Sequence, residues 1–428
     1  MFRKSFVIFL LVGLLAPLSA AQDSLTILVH QAPWLPGFEA VVDAYEEQTG
    51  NTIELNITPY PGLLQKVLNA TTAATSEFDI VEIDEVWTGQ IYSGGLVTPI
   101  TDIKPDFVFD DEMIEYGAVS RWDAEANNAT LDGALYAVPL LGNIQLLFYR
   151  TDLLEEAGLE VPTTWDELIE VATALNNPPS VFGHAERTSG RIDFDYQSVL
   201  RSYGGEIVSF DPDAQTWSVD IDSDEAVTAL EKWLELARAA SPPNYANLGQ
   251  AELISLMQSG QLAMMINVAA AAGGLVDPDA SIVTDSIAAA PNPGLTSGDP
   301  VTTSGVLVFG IPQNLPPERQ QLAAEFLEWF ISKDTQMIFA QAGGVPTRTD
   351  VYEELSSDPD FWWAKAVADS APYIRGQIRL EPTSQIYEVL NRVLGEVLLD
   401  QKEPRAALEE AATEIRVIMR DNGFEVSE

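Results

Sequence analysis

Short apolar runs alternate with helix-patterned segments from Leu25 onward, and this alternation restricts the possible folds more than any other feature of the chain. Residues 25–29 (Leu-Thr-Ile-Leu-Val) have the apolar continuity of a strand buried on both faces. Helical spacing follows over 38–48 and stops at Gly50, a residue that suits the left-handed close of a helix. The cycle repeats: strand 52–57, helix 63–74, strand 79–83, helix 86–92. Strands separated by helices predict a mostly parallel α/β sheet, whose ligands bind beyond the carboxyl ends of the strands. Trp34 and Asp84 fall at two of those ends.

The pattern restarts at Tyr136. Pro139 leads through Leu141-Gly142-Asn143 into a strand over 146–149, and a helix over 152–157 ends at Gly158. Thr164 with Glu167 forms a capping box for a helix reaching Leu175. A long helix over 225–240 stops at Ser241-Pro242-Pro243, and Gly260 separates a helix over 253–259 from a buried strand over 262–266. Residues 288–300 read as a crossing rich in Pro and Gly, followed by a strand over 305–311 and a helix over 318–331. After the break at Gly343-Gly344-Val345-Pro346 the chain is helical over 361–368, 384–399 and 405–421. With 428 residues there is material for two or more cores, and breaks without a flexible linker predict two lobes crossed more than once.

Charge and composition remove whole classes of function. The chain has 65 acidic residues against 22 basic ones, a net charge of −43, which opposes binding to nucleic acid or an anionic membrane. Seven lysines and fifteen arginines make a lysine-poor, acid-rich surface that suits a salt-rich medium. No cysteine is present, which excludes disulfides, thiolate metal sites and cysteine nucleophiles. His30 and His184 are the only histidines, and no P-loop, dinucleotide fingerprint, Gly-x-Ser-x-Gly elbow or His-Glu-x-x-His motif occurs. No metal or cofactor is expected; Asp211 to Thr216 has Thr where a calcium loop needs Gly, and reads as a hairpin turn.

The N-terminus reads as an export signal over 1–21: Arg3 and Lys4, an apolar run over 6–15, then small residues through Ala21. No cysteine follows to be acylated, so the expectation is a secreted protein of the periplasm or extracytoplasmic space without a lipid anchor.

Three segments stand out, in order: 135–168, with Leu-Tyr-Ala-Val-Pro and Pro-Thr-Thr-Trp-Asp-Glu-Leu; 260–267, Gly-Gln-Leu-Ala-Met-Met-Ile-Asn, with Pro-Asn-Pro-Gly at 291–294; and 343–348, Gly-Gly-Val-Pro-Thr-Arg. Together they resemble the carbohydrate-type extracellular solute-binding proteins of ABC importers, the maltose-binding-protein-like family. Two departures stand out. Arg150 occupies a position where the family has Asn or Asp, and 267–272 lacks the tryptophan that many relatives use as a sugar platform. The resemblance implies two α/β lobes on a multi-crossing hinge, lobe one at 23–138 and 287–342, lobe two at 139–286 and 343–428. It implies a monomer, not an enzyme, that closes on a sugar or polyol and delivers it to membrane permease subunits.

Sugar recognition needs aromatic platforms together with carboxylates, amides and arginines. Trp34, Asp84, Trp87, Asn143, Asn267, Gly343, Gly344 and Arg379 are candidates, with Tyr196 (or Tyr203) as the replacement platform. Several have a structural alternative: Asp84 as a helix cap, Asn143 as a turn residue, Tyr196 as core. The acidic balance disfavours anionic ligands, although Arg375 and Arg379 form a local basic cluster. The alternatives are the same receptor role for a glycerophosphodiester, peptide or compatible solute, or an exported glycosidase using two carboxylates.

Overall fold

The computed structural model describes residues 23–427, so the expected export signal lies outside the described residues. The chain enters as β1 (Ser24–His30), α1 (Leu35–Thr49), β2 (Thr52–Thr58), α2 (Tyr60–Thr72) and β3 (Ile80–Asp84). Gly50, at φ +76°, ends α1 by giving its N–H to the Glu46 carbonyl. β4 (Ala137–Leu141) then passes directly through Gly142 to β5 (Gln145–Arg150) in the other lobe. A Cβ at Gly142 would lie 2.2 Å from both the Pro346 carbonyl oxygen and the Tyr116 hydroxyl, so only glycine fits this crossing.

In the second lobe, α3 (Trp165–Leu175) begins with the expected Thr164–Glu167 capping box. After it come β6 (Phe182–Ala185), α4 (Ile192–Ser202), the hairpin β7 (Val208–Asp211) and β8 (Thr216–Val219), and α5 (Asp224–Ala240). β9 (Leu262–Val268) is buried along its full length, as the apolar run over 262–266 requires. β10 (Ile287–Ala290) and β11 (Leu307–Gly310) complete the sheets, and α6 (Thr383–Leu398) and α7 (Pro404–Asp421) close the chain against α4 and α5.

The first sheet has the order β2-β1-β3-β11-β4 and the second β10-β5-β9-β6. β1 runs parallel to β2 and β3, but β11 is antiparallel to both its neighbours, and β5 is antiparallel to β9 and β10. The sheets are therefore mixed rather than mostly parallel, because strands returning from the opposite lobe enter each sheet in reverse.

Sheet membership also shifts two expected boundaries. β4 keeps residues up to Leu141 in the first sheet, beyond the break expected after 138, since Pro139 is accommodated in the strand. β10 keeps residues 287–290 in the second sheet, where its short alanine side chains pair with β5; the crossing comes after it.

Three crossing segments lie side by side. Gly305 N–H bonds the Asn143 carbonyl at 2.8 Å, Ser304 N–H the Arg375 carbonyl at 3.1 Å, and Thr302 Oγ1 the Gln145 carbonyl at 2.6 Å. Glu85, fully buried, ties them together by accepting from Ser304 Oγ, Val306 N, Gln377 N and the Arg379 guanidinium. A buried charge is tolerable only with this density of donors.

Candidate functional site

A cleft of about 520 Å³ opens between the lobes at the carboxyl ends of β1 and β3. That volume lies within the range of small-molecule sites. The first-lobe wall is aromatic. Trp34, immediately before α1, meets the His30 ring edge-on at 5.6 Å, and His30 meets Tyr60 at 5.3 Å. Trp34 is 3% exposed and its Nε1 has no acceptor. The His30 ring is fixed from behind by Glu82, whose Oε1 lies 2.5 Å from Nδ1. Burial raises the Glu82 pKa, and His30 opposes that rise.

Asp84 supplies the carboxylate of this wall. It accepts Tyr60 Oη–H at 2.7 Å and Val86 N–H at 3.1 Å, the second bond capping the helical turn that follows β3. Burial raises its pKa, against the attraction of Arg191 and the bond from Tyr60. Cap and cleft residue are thus one side chain with two duties.

The second-lobe wall is built on Phe194 in the first turn of α4. Arg187 lies over its ring at 5.2 Å and Arg191 at 5.8 Å. Each arginine has its own buried carboxylate: Arg187 Nε to Asp195 at 2.7 Å and Arg191 Nε to Asp193 at 3.1 Å. Burial works against the Arg191 charge, but Asp193 and Asp84 outweigh it and the pKa is raised. Arg191 Nη2 also donates to Gln377 Oε1 at 2.8 Å, which attaches this wall to the crossing segment. With both guanidinium groups neutralised from behind, the cleft offers N–H donors and an aromatic face without a large net positive charge.

Of the candidate residues, Trp34, Asp84 and Asn143 border this cleft together. Asn143 Oδ1 also accepts Ala270 N–H at 3.1 Å, holding the turn after β9. Trp87 stands one layer back, stacked on Tyr60 at 5.5 Å and 26°. Asn267 is buried with Oδ1 on the Val268 N–H, and does not border the cleft. Gly343 and Gly344 border an adjoining cavity of about 610 Å³ that shares Trp34 with the cleft. Gly344 has a packing reason of its own: a Cβ there would lie 2.4 Å from the Phe339 ring.

Tyr196 and Arg379 do not reach the cleft. Tyr196 is fully buried, bonds the Ala226 carbonyl at 2.7 Å and packs on Trp233, because two residues along α4 turn it away from Phe194 and into the core. Arg379 is drawn to the opposite side of the crossing segments by Glu85 and the carbonyls of Tyr116 and Gly117. The structure adds His30, Tyr60, Arg187, Arg191, Phe194 and Gln377 to the cleft. The one sequence signal for any of them is the segment Asp193-Phe-Asp-Tyr196, in which Phe194 borders the cleft and Tyr196 does not.

A two-lobed α/β molecule with an aromatic and carboxylate cleft at its hinge is the architecture of a binding protein that closes on a solute. Residues 31–337 match the family model of bacterial extracellular solute-binding proteins, and the chain belongs to that family. A Deinococcus radiodurans protein named "Probable ABC transporter-binding protein" is 26% identical over 385 residues, 86% of each chain. The mannitol-binding protein of Pseudomonas aeruginosa is 24% identical over 305 residues, 68% of this chain and 66% of its own. Among solved structures, an ABC transporter solute-binding protein from Agrobacterium radiobacter K84 in complex with ribitol superposes with a TM-score of 0.75 at 25% identity. That match covers 92% of this chain and 98% of the other.

Proposed function

We propose that this chain is the extracytoplasmic receptor of an ABC importer for a polyol or small sugar, held between Asp84 of the first lobe and Phe194 with its two arginines of the second. The observation that carries this reading is that Asp84 and Arg191, from opposite lobes, line one cleft together with Trp34 and Phe194. Hydroxyl groups are donors and acceptors at once, so they satisfy a carboxylate on one side and guanidinium N–H groups on the other. Carbon-bound faces of the ligand pack on Trp34 and Phe194. The relatives named for mannitol and solved with ribitol support the polyol reading.

The ligand bridges the lobes and favours the closed arrangement, the form that permease subunits recognise. No chemistry is assigned to the site: it is a capture site, and the solute leaves it unchanged. The test is a thermal-shift screen of the secreted chain against polyols, mono- and disaccharides, glycerophosphodiesters and compatible solutes. A ligand at 100 times its dissociation constant adds about 2.7 kcal/mol of stability, an easily read shift. The expected result is a selective shift by a polyol or sugar that is recovered intact; a shift by only another class, or turnover of the ligand, contradicts the proposal.

A further inference from the structure

Behind the crossing segments, on the side away from the solute cleft, lies a second cavity of about 340 Å³. Its walls come from the first lobe at Gly117, the second lobe at Arg201 and Trp217, and the crossing segment from Arg375 to Arg379. Three guanidinium groups meet there. The Arg201 side chain is 7% exposed; its Nε bonds Glu206 at 3.1 Å, and its buried Nη1 has no acceptor. The Arg379 side chain is 4% exposed; its Nη atoms are taken by Glu85 and two carbonyls, and its buried Nε has no acceptor.

Arg375 is exposed and makes no ion pair. Among the described arginines only Arg375 and Arg420 lack one. In a chain with 65 acids against 22 bases, an arginine left without a carboxylate is the exception. Three guanidinium groups against the two carboxylates Glu206 and Glu85 leave one positive charge over, with two buried N–H groups still unfilled.

We propose that this cavity binds a small oxyanion of the phosphate or carboxylate kind, at a site separate from the solute cleft. Guanidinium groups bind such oxygens in paired, charge-assisted hydrogen bonds. The molecule's overall negative field repels anions elsewhere, so binding here is local and saturable.

The two sites are mechanically joined. Gln377 borders both cavities: its Oε1 accepts from Arg191 in the solute cleft, its Nε2 donates to the Ser304 carbonyl at 2.9 Å, and its backbone N–H bonds Glu85. An anion gripping this segment therefore changes solute affinity, and solute changes anion affinity by the same factor.

The test is a titration of the secreted chain with potassium phosphate at constant ionic strength, balanced with potassium chloride and followed by thermal unfolding and phosphorus-31 line width. Sulfate and acetate are run in parallel to separate tetrahedral from carboxylate preference. The expected result is a saturable response to at least one of the three. It weakens at least about tenfold in Arg375→Ala, a variant whose anion-free melting point is unchanged because that side chain is exposed and unpaired. Arg187→Ala, in the solute cleft, leaves the response intact. The proposal is overturned if none of the three anions gives a saturable response, if Arg375→Ala titrates like the unaltered chain, or if Arg187→Ala alone abolishes the response.

Discussion

Replacing Asp84 by asparagine sets affinity and stability against each other. Its carboxylate is buried at the end of β3 and already accepts one bond on each oxygen, from Tyr60 and from Val86. A carboxylate oxygen has about two lone-pair positions, so about two remain for ligand hydroxyls. Hydrogen bonds to a charged acceptor contribute about 1.5–3 kcal/mol and neutral ones about 0.5–1.5 kcal/mol. Asp84→Asn therefore loses about 1 kcal/mol per ligand bond, about 2 kcal/mol in all, a dissociation constant about 30-fold weaker.

Ligand-free stability moves the other way. Burial raises the Asp84 pKa above its ordinary 3.8, so the folded chain holds that proton more tightly than the unfolded one. Such a group stabilises fully below its ordinary pKa, and its contribution is lost as pH rises through the folded value. Above the folded value the ionised carboxylate is a net cost that asparagine removes. Calorimetric titration with the cognate solute and scanning calorimetry without it read the two quantities. The reasoning is refuted if Asp84→Asn melts well below the unaltered chain while its dissociation constant stays within about threefold.

Other positions give equally definite outcomes. Phe194→Ala removes the face shared by Arg187 and Arg191, and weakens the solute at least about tenfold, about 1.4 kcal/mol, by titration. Tyr196→Phe deletes the bond to the Ala226 carbonyl, lowering stability by about 1 kcal/mol in denaturant melts with no change in solute affinity. Burial pushes the Glu186 pKa up to about 8 and the His184 pKa down to about 3. The raised carboxyl loses stability as pH climbs towards 8, whereas the lowered histidine gains it between pH 3 and its ordinary 6.5. Glu186→Gln, which keeps an acceptor for Trp233 Nε1, therefore gains stability over the unaltered chain progressively as pH rises towards 8, as measured by melting across pH.

The sheets and most helices were legible because their signals are local. The apolar run of β9, the Thr164–Glu167 box and Gly50 each act through immediate neighbours in sequence. Strand direction was less legible: β11 and β5 pair according to where the chain returns from, which no local pattern encodes. The same division holds at the site. Trp34, Asp84 and Asn143 follow from strand ends and crossings, where α/β architecture concentrates ligand contacts.

Phe194 and Tyr196 could be told apart only by knowing that α4 starts at Ile192, which fixes the side of the helix each occupies. Arg191 and Gln377 are 186 positions apart in sequence and meet only after both lobes have folded. Arg379 shows the converse. A cation near the hinge suggests a ligand contact, but Glu85, next to Asp84 in the chain, claims it for the crossing.

The central claim is that one solute is held by both lobes. A crystal structure of the complex with the polyol or sugar selected by the thermal screen tests it most directly. The account predicts a ligand hydroxyl within hydrogen-bond distance of the Asp84 carboxylate and ligand carbons against the Phe194 ring, with Arg187 or Arg191 donating to the same molecule. A ligand seated instead in the cavity beside Gly343 and Gly344, touching neither Asp84 nor Phe194, would contradict it.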